Sequence, residues 1–542
     1  MSITKRLWII PTIVVVASIL AGSVYWIHDH PFGISWDEAQ YFNQDQSDIR
    51  TLKAEGLHGL ARAFLRSDTV RPPAYRVLVI PFTGFLGFSP DLARFVSLTG
   101  FAITLLLVFL GASRVAGRWA ATFAVLFLSL SPGMIFPSMV FGTEYALYLA
   151  TAGTLYFLFA SWNKEKVNPL NWIGLGLSLA LGALAKASFA LAGGPILLLA
   201  FLLSWRRTGG GFSIRFLLKG AVLGCLIAMP WWYLNFRSAM WLAKYAGTYT
   251  RHSLGSPSLV TSARWLVSFA EGSVGLPLVA LAVLVSLLFI GQSAIKKDPW
   301  NLTPKRAAQL CFLGAVPLML VGMVSINSNL RYVSPSLLLF AIGLGILVAR
   351  LTGKRLQVAV VGSAALFLVQ WLMILIPAIH PVPLPERLDP SIIGGRRPGM
   401  VMCRWEQWDW NRVREVARSH GMTNPSIVFL GGCSAWNVEQ IAYPWLAHGQ
   451  DRPKVRWLWR YEQGPLEWDK IMQSADGSDI ALTAPDFVGT KFDGQDLDNQ
   501  YNRQFAQRLE RDERFEEAIR IRLGRFQPVD VLVFVNKRAR QS

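Results

Sequence analysis

Two adjacent carboxylates, Asp37 and Glu38, stand in the segment ISWDEAQYF, about ten residues after a long apolar run. Other ionisable residues begin or end later apolar runs, namely Glu144, Lys186 and Arg331. A charge in a membrane helix raises the free energy of insertion by ~2.5–3.5 kcal/mol at the centre and by less toward the ends, so such residues mark function or internal pairing. Acids near cations suit a transfer reaction in which a carboxylate accepts the proton of an attacking hydroxyl or amine and basic side chains stabilise a departing phosphate.

Each of these residues also has a plainer interpretation. Asp37 and Glu38 suit a solvated cap on the segment that follows them, and a single charge at a helix end suits a side chain that snorkels to the interface. Taken together, the residues predict an outward-facing cavity that holds carboxylates and cations. Position alone leaves both interpretations open.

The composition is typical of a polytopic membrane protein: 52% of the 542 residues are hydrophobic, 16% are charged, and Trp occurs 21 times. The formal net charge of +19 is unevenly distributed, because residues 1–377 carry +18 and residues 378–542 only +1. The excess therefore lies in the hydrophobic part, where loop charge sets orientation, and a nucleic-acid partner is not predicted.

About eleven apolar runs approach the roughly 20 residues that a spanning helix needs. They lie near 7–27, 92–112, 118–137, 143–162, 171–187, 189–205, 216–234, 275–291, 307–326, 331–350 and 356–377. The first run follows Lys5 and Arg6 and is compatible with a cleaved signal peptide, although its length favours a retained anchor. The sequence predicts an α-helical polytopic domain over residues 1–377.

The charges of the connections predict the orientation. With the N-terminus in the cytoplasm, the inner connections carry 17 Lys and Arg residues against only Glu165 and Asp298. This is the positive-inside pattern, and an odd number of spans then places the C-terminal tail outside. We therefore expect a multi-pass protein of the inner (plasma) membrane with a cytoplasmic N-terminus and a periplasmic or other extracytoplasmic C-terminus.

Two outer connections are long, 28–91 and 235–274. In the first, Ile49, Leu57 and Leu60 fall on one helical face, which predicts a helix that either lies in the membrane interface or packs on protein. The second is rich in Gly, Ser and Tyr and reads as a mobile loop that closes over a bound donor.

Residues 378–542 are predicted to form a small extracytoplasmic α/β domain after the Pro-rich linker HPVPLPERLDP. The segments SIVFLGG, KVRWLW, DIALTA and VDVLVFV read as short strands, and NRQFAQRLERDERFEEAIR reads as a helix. Cys403 and Cys433 share this tail and could pair in an oxidising compartment, which the sequence leaves open.

Five segments resemble, in order, motifs of the GT-C glycosyltransferases, in particular those of the protein O-mannosyltransferase and lipid A aminoarabinose transferase group. SWDEAQYF resembles the Asp-Glu-x-x-Tyr motif after the first span, and RPPAYRVL resembles a basic-Pro-Pro-x-Tyr segment. FGTEYALYLA is similar to the next outer loop, where an acid begins a span. LGALAKASFA and RYVSPSLLL are similar to the Leu-x-x-Leu-x-Lys and Arg-Tyr-x-x-Pro segments. One departure is Gln40, where some relatives have Arg.

The resemblance implies a sugar donor linked to polyprenyl phosphate and transfer outside the cytoplasm, usually with inversion at the sugar carbon. Asp37 then matches the proposed catalytic acid or base, with Glu38 as its companion and Glu144 as the second-loop acid. The candidate donor-phosphate residues are Arg71, Arg76, Lys186 and Arg331. Further candidates within the motifs or the outer loop are Tyr41, Tyr75, Tyr332 and His252.

No cofactor is required by this interpretation. Asp37, Glu38 and His252 could supply ligands to a divalent metal, but no HxxxH or CxxC cluster supports a dedicated site, so we favour metal-independent transfer. A glycolipid, a polysaccharide and a protein hydroxyl all stay open as acceptors, and the sequence specifies neither the sugar nor the oligomeric state. The rival functions are a lipid-linked sugar flippase and a scaffold relative without catalytic activity.

Overall fold

The structure is a computed structural model that describes residues 9–29, 36–162, 168–205, 212–254, 258–295, 302–324, 330–379, 408–431, 436–459, 464–486, 497–523 and 529–540. The chain forms two compact units. The helical unit comprises Met1–Asp29, Ala54–Tyr245 and Pro257–Gly395, and the mixed unit comprises His30–Lys53, Ala246–Ser256 and Arg396–Ser542. Cys403 and Cys433 lie outside the described residues.

Fourteen helices precede the C-terminal domain in the described part of the chain. They are α1 Ile9–Asp29, α2 Trp36–Arg66, α3 Ala74–Leu86, α4 Pro90–Ser129, α5 Pro132–Met139, α6 Glu144–Ala160, α7 Pro169–Ala185, α8 Phe189–Trp205, α9 Ile214–Leu254, α10 Leu259–Ser268, α11 Leu276–Ile295, α12 Leu302–Val324, α13 Pro335–Arg350 and α14 Gly353–Ile379. Each predicted apolar run is mostly helical where it is described. Among these helices six are long and apolar enough to cross a membrane (α1, α4, α9, α11, α12 and α14), and four shorter ones are also apolar. The exact number of spans stays a prediction.

Helix α4 contains the predicted run 92–112 and most of the next one, 118–137, whose end lies in α5. It is interrupted at Gly117, whose φ of 86° and ψ of 169° are not helical and suit a residue without a Cβ. Its second half packs closely against α13, where a Cβ on Gly345 would lie 2.3 Å from the carbonyl oxygen of Ala120. Small residues allow this close backbone approach between apolar helices, as in membrane bundles generally.

The segment 235–274 is helical over most of its described length, so the prediction of a loop is wrong in its secondary structure, and its closure over a donor stays a prediction. Helix α9 continues to Leu254, and Trp241 and Tyr245, one turn apart, stack with ring centroids 5.3 Å apart. Such i,i+4 pairs favour a helix in spite of nearby Gly and Ser. Ser258 and Thr261 then form a capping box at the start of α10, and a π-helical turn follows at Phe269–Val274.

The predicted amphipathic helix in the first outer connection is α2, but its apolar face is not continuous. Gly56 has φ of 68° and ψ of −162°, which breaks the helical register within α2. Ile49 and Leu60 are buried, whereas Leu57 is 78% exposed. The first two therefore pack on protein.

The C-terminal domain belongs to the mixed unit and has a five-stranded sheet. Its elements are α15 Asn411–Ser419, β1 Ser426–Phe429, α16 Val438–Ala447, β2 Lys454–Trp457, α17 Trp468–Asp476, β3 Ile480–Thr483, α18 Leu497–Arg511, β4 Phe515–Leu523 and β5 Val529–Asn536. The strand order is β2-β1-β3-β5-β4; β1 pairs with β2 and β3 in parallel, and β5 pairs with β3 and β4 antiparallel. Residues alternate between two hydrophobic cores, so that Ile480 and Leu482 face one and Ala481 the other.

The predicted helix over residues 502–520 is only half right. Helix α18 ends at Arg511, and Phe515–Leu523 is strand β4. Ile521 and Leu523 are buried while Arg520 and Arg522 are exposed, which is the period of a strand. A β-bulge between Glu517 and Ile519 shifts that alternation along β4, so the strand pattern was masked in the sequence.

Candidate active site

In the helical unit, two cations converge on the carboxylate of Glu144. Lys186 Nζ lies 2.7 Å from Glu144 Oε1, and Arg331 Nε lies 3.6 Å from the same oxygen. Glu144 is the first residue of α6, where the partial positive charge of the helix N-terminus favours a carboxylate. The structure thus brings together three residues that the sequence placed on separate apolar runs.

Breaks between helices position both cations. Lys186 has an extended backbone directly after α7, and its N–H donates to the carbonyl of Gly182. Arg331 lies in a single 3₁₀ turn, Leu330–Tyr332, before α13. Both cations lie close to the ring of Tyr332, whose centroid is 4.2 Å from Lys186 Nζ and 5.6 Å from Arg331 Cζ, and the ring face favours both charges.

The cluster is asymmetric in exposure. The Glu144 side chain is 5% exposed, whereas those of Lys186 and Arg331 are 20% and 28% exposed. These three side chains sum to a formal charge of +1, and the two cations are the more exposed members of the set. An anion is therefore the ligand that this cluster favours.

Tyr148 lies one turn after Glu144 on α6 and was not singled out from the sequence. Its hydroxyl donates to the carbonyl of Gly133 at 3.3 Å and bonds the side chain of Ser334, three residues after Arg331. It therefore joins α6, the start of α5 and the Arg331 turn. The i,i+4 spacing from Glu144 was the available signal for this residue.

Two candidates from the Pro-Pro segment are engaged in the fold. Arg76 is fully buried and donates to the Ala63 carbonyl at 3.2 Å and to Ser67 Oγ at 2.7 Å, so it holds the end of α2. Tyr75 is also fully buried, and its carbonyl accepts a hydrogen bond from the Tyr145 hydroxyl at 2.8 Å. Arg71 is half-buried, and its backbone N–H donates to Asp68 Oδ1 in a turn. Their roles toward a donor phosphate stay predictions.

Asp37 and Glu38 lie in the first turn of α2, within the mixed unit. Glu38 is 1% exposed, Asp37 is half-buried, and Tyr41 is buried one turn later. Acids at this position are favoured by the helix N-terminus. Two further acids of α2, Asp45 and Asp48, are completely buried, although nothing in the sequence around them distinguishes them from surface acids.

A metal ion would need several converging ligands. Within the described part of the chain, no three His, Cys, Asp or Glu side chains form such a group. His252 lies on the last turn of α9, but its side chain is outside the described residues. The set of Asp37, Glu38 and His252 therefore stays a prediction.

Comparison with known proteins bears on the fold. Residues 70–234, less than a third of the chain, match the family model described as dolichyl-phosphate-mannose-protein mannosyltransferase. The chain is similar to the crystal structure of ArnT from Cupriavidus metallidurans bound to undecaprenyl phosphate, with 14% identity and a TM-score of 0.60 over 98% of both chains. No match was found among curated proteins.

Two further structures are similar. Archaeal oligosaccharyltransferase AglB from Archaeoglobus fulgidus, in complex with an inhibitory peptide and a dolichol-phosphate, has 10% identity and a TM-score of 0.50, over 89% of this chain and 70% of that one. Arabinofuranosyltransferase AftD from Mycobacteria has 15% identity and a TM-score of 0.51; 99% of this chain covers 40% of AftD. The predicted resemblance and fold class are confirmed: this is a multi-pass membrane protein with the GT-C glycosyltransferase fold and a small C-terminal α/β domain.

Proposed function

We propose that this protein is a glycosyltransferase that moves a sugar from a polyprenyl-phosphate donor to an acceptor on the outer face of the inner membrane. The observation that carries the proposal is the Glu144 cluster, in which the buried carboxylate gathers two cations whose own side chains stay reachable. The fold shared with ArnT, which was crystallised with undecaprenyl phosphate, supports a lipid phosphate as the anion.

The cluster suits a phosphate that gains charge during the reaction. In the donor, the sugar carbon is bonded to a phosphodiester oxygen and the phosphate carries one negative charge. When that carbon–oxygen bond breaks, the electron pair stays on the phosphate, which leaves as polyprenyl phosphate with a second charge. Lys186 and Arg331 would stabilise the added charge, and this stabilisation is greatest in the transition state.

Asp37 is the proposed general base. The acceptor hydroxyl or amine attacks the sugar carbon from the side opposite to the phosphate, and Asp37 accepts its proton as the new bond forms. A single displacement of this kind inverts the configuration at that carbon. Glu38 follows Asp37 in the sequence and is buried. Its carboxylate would add to the negative charge at the start of α2 and position this end of the helix.

Glu144 is proposed to organise the phosphate site. Without donor it balances one of the two cations, so that neither Lys186 nor Arg331 is left alone in an apolar setting. With donor bound, the phosphate oxygens share these cations with Glu144. Arg71 would add a further cation to the donor phosphate.

The direct test is transfer by the purified protein in lipid nanodiscs from a synthetic polyprenyl-phosphate sugar. Release of polyprenyl phosphate together with a glycosylated acceptor is expected. The acceptor is found beforehand by mass spectrometry of envelope glycans from wild-type and deletion strains, as the molecule that carries one more sugar in the wild type. A flippase would move the donor across vesicles without transfer, and an inactive scaffold would do neither. Either outcome contradicts the proposal.

Transfer on the outer face has its own test. A reporter that is active only outside the cytoplasm, fused after residue 390, should be active, because the loop charges place the tail outside. The same reporter in the connection 296–305, which carries Lys296, Lys297 and Lys305, should be silent. The reverse pattern would contradict the orientation and the outer-face site.

A further inference from the structure

Helix α2 carries the proposed base, and its first part is attached to the C-terminal domain within the mixed unit. Asn43 Nδ2 donates to Glu439 Oε2 at 2.7 Å and to the Glu439 carbonyl at 3.2 Å. Two turns later, Arg50 Nη2 donates to the Gln450 carbonyl at 2.6 Å. The ring of Phe42 packs against that of Tyr443, with centroids 6.1 Å apart. Helix α16 and the turn after it thus hold α2 at three points.

Glu439 is itself fixed at both carboxylate oxygens. Its Oε1 accepts from Arg452 at 2.7 Å while its Oε2 accepts from Asn43. Its backbone N–H donates to Oδ1 of Asn437, the N-cap of α16. Asn43 is 3% exposed, and a hydrogen bond to a charged acceptor at this distance is among the stronger kinds. The contact is therefore rigid on the side of the C-terminal domain.

The attached face of α2 is not the face of the acids. Asn43 and Arg50 are seven residues apart and share one side, because an α-helix turns by about 100° per residue. Asp37 lies about 120° around the helix from Asn43 and about 9 Å along the axis, by the same geometry. The domain can therefore hold the helix without covering Asp37.

We propose that Glu439 and Asn43 are positioning residues, and that the C-terminal domain sets the placement of Asp37 for transfer. The inference rests on the proposed function of Asp37 as the base. Displacement of a reacting group by ~1 Å can lower a rate ~10²-fold. A helix held at Asn43 and Arg50 has little freedom to rotate or slide at Asp37. This gives the domain a part in the chemistry that its sheet topology alone does not indicate.

The test compares Glu439→Gln, Glu439→Ala and Asn43→Ala in the full-length protein. Glu439→Ala should lower the single-turnover rate of transfer ~10-fold and leave the donor Kd unchanged, since the phosphate cluster is untouched. Glu439→Gln should fall by less, because its amide oxygen can still accept from Asn43. The double variant Glu439→Ala with Asn43→Ala should be no slower than either single variant, because both remove the same contact.

The matched control is Asp476→Asn, which removes a partly exposed ion pair with Arg514 in the same domain and does not touch α2. A loss of transfer equal to that of the control, or additive effects of Glu439 and Asn43, would overturn the proposal. Hydrogen exchange of the amides at 36–50 gives a reading that needs no activity. Faster exchange in Glu439→Ala than in Asp476→Asn is expected, and equal exchange overturns the proposal even if the wild type proves to be no transferase.

Discussion

In each of two ion-pair clusters of this protein a carboxylate has two cations beside it, and the two clusters differ in burial. In the helical unit, the Glu144 side chain is 5% exposed and faces Lys186 and Arg331. In the mixed unit, Asp476 is 25% exposed and lies 3.0 Å from Arg514 and 3.5 Å from Arg538, whose side chains are 40% and 71% exposed. A carboxylate with two cations beside it therefore occurs once among largely buried side chains and once among partly exposed ones.

The difference shows what such a cluster is for. Exposed ion pairs contribute about 0–1 kcal/mol each, so the Asp476 cluster is an ordinary feature of a soluble surface. Charges removed from water lose their hydration, and a buried set can reduce stability even when it is paired. Arg514 also binds a second carboxylate, Asp512, at 2.6 Å. Burial, more than the number of pairs, distinguishes the candidate site.

The largest expected contrast concerns the base. Asp37→Asn keeps the shape of the side chain and removes its charge, so transfer should fall by ~10²–10⁴-fold, the usual contribution of a general base. Donor binding should persist because the phosphate cluster is intact. Single-turnover transfer and donor Kd are to be measured beside Asp476→Asn, the same chemical change in the exposed cluster. Equal activity of the two variants would make Asp37 a helix cap.

The next contrast concerns folding. Glu144→Gln leaves two cations without their shared carboxylate, so the Tm should fall. The free energy of unfolding should fall by less than the roughly 3–5 kcal/mol expected when a fully buried pair is broken, because Lys186 and Arg331 are partly exposed. Polyprenyl phosphate should restore more of the Tm in this variant than it adds to the wild type, since its phosphate replaces the lost charge.

Asp476→Asn again supplies the control, with a small change in Tm and no response to the lipid phosphate. If polyprenyl phosphate stabilised Glu144→Gln no more than the wild type, the two cations would not be the phosphate site.

The donor affinity should depend on the reachable cations. Lys186→Gln or Arg331→Gln should weaken donor binding by ~10- to 100-fold, because a hydrogen bond to a charged group contributes roughly 1.5–3 kcal/mol. Arg538→Gln, which neutralises the most exposed cation of the other cluster, should leave the donor Kd unchanged. Binding is measured with a labelled polyprenyl-phosphate sugar in nanodiscs, after the fold of each variant has been checked. Weakening by Arg538→Gln alone would reverse the assignment of the two clusters.

These clusters also show how much of the candidate site could be predicted from the sequence. Glu144, Lys186 and Arg331 could be singled out because an ionisable residue at the end of an apolar run is conspicuous, and the structure brings them together. The contact of Asn43 with Glu439 could not, because it joins residues 396 apart that have ordinary surroundings in the sequence. Asp45 and Asp48 likewise look like surface acids of a helix, and only the fold buries them.

The prediction of helices and strands from the sequence has the same limit. Apolar length predicted the helices of the bundle, and short segments rich in apolar residues predicted four of the five strands. The sequence does not show strand β4 because the bulge at Glu517 interrupts its alternation. It does not show the helical path of 235–254 because the Gly and Ser residues there are typical of a loop, whereas the stacking of Trp241 on Tyr245 appears only in the fold. Local composition is a weak guide wherever a tertiary contact or a register shift decides.

The smallest expected effect lies in the exposed cluster and depends on pH. The hydrogen bonds from the Arg514 guanidinium lower the pKa of Asp512 below its ordinary value of about 3.8. A carboxylate whose folded pKa is depressed contributes stability above its unfolded pKa, and this contribution is lost as the pH falls through the folded pKa. Arg514→Gln should therefore destabilise the C-terminal domain at pH 7, by about 1 kcal/mol, because the arginine side chain is 40% exposed and water screens the pair. The difference from the wild type should shrink as the pH falls below the ordinary value of about 3.8 and vanish only below the depressed folded pKa, where Asp512 is protonated in both proteins. Denaturant unfolding followed by the fluorescence of the buried Trp410 and Trp436 would measure it, with transfer at pH 7 unchanged.

A difference that persisted at low pH would mean that Arg514 stabilises the domain through packing, and a loss of transfer would mean that the exposed cluster also serves the reaction.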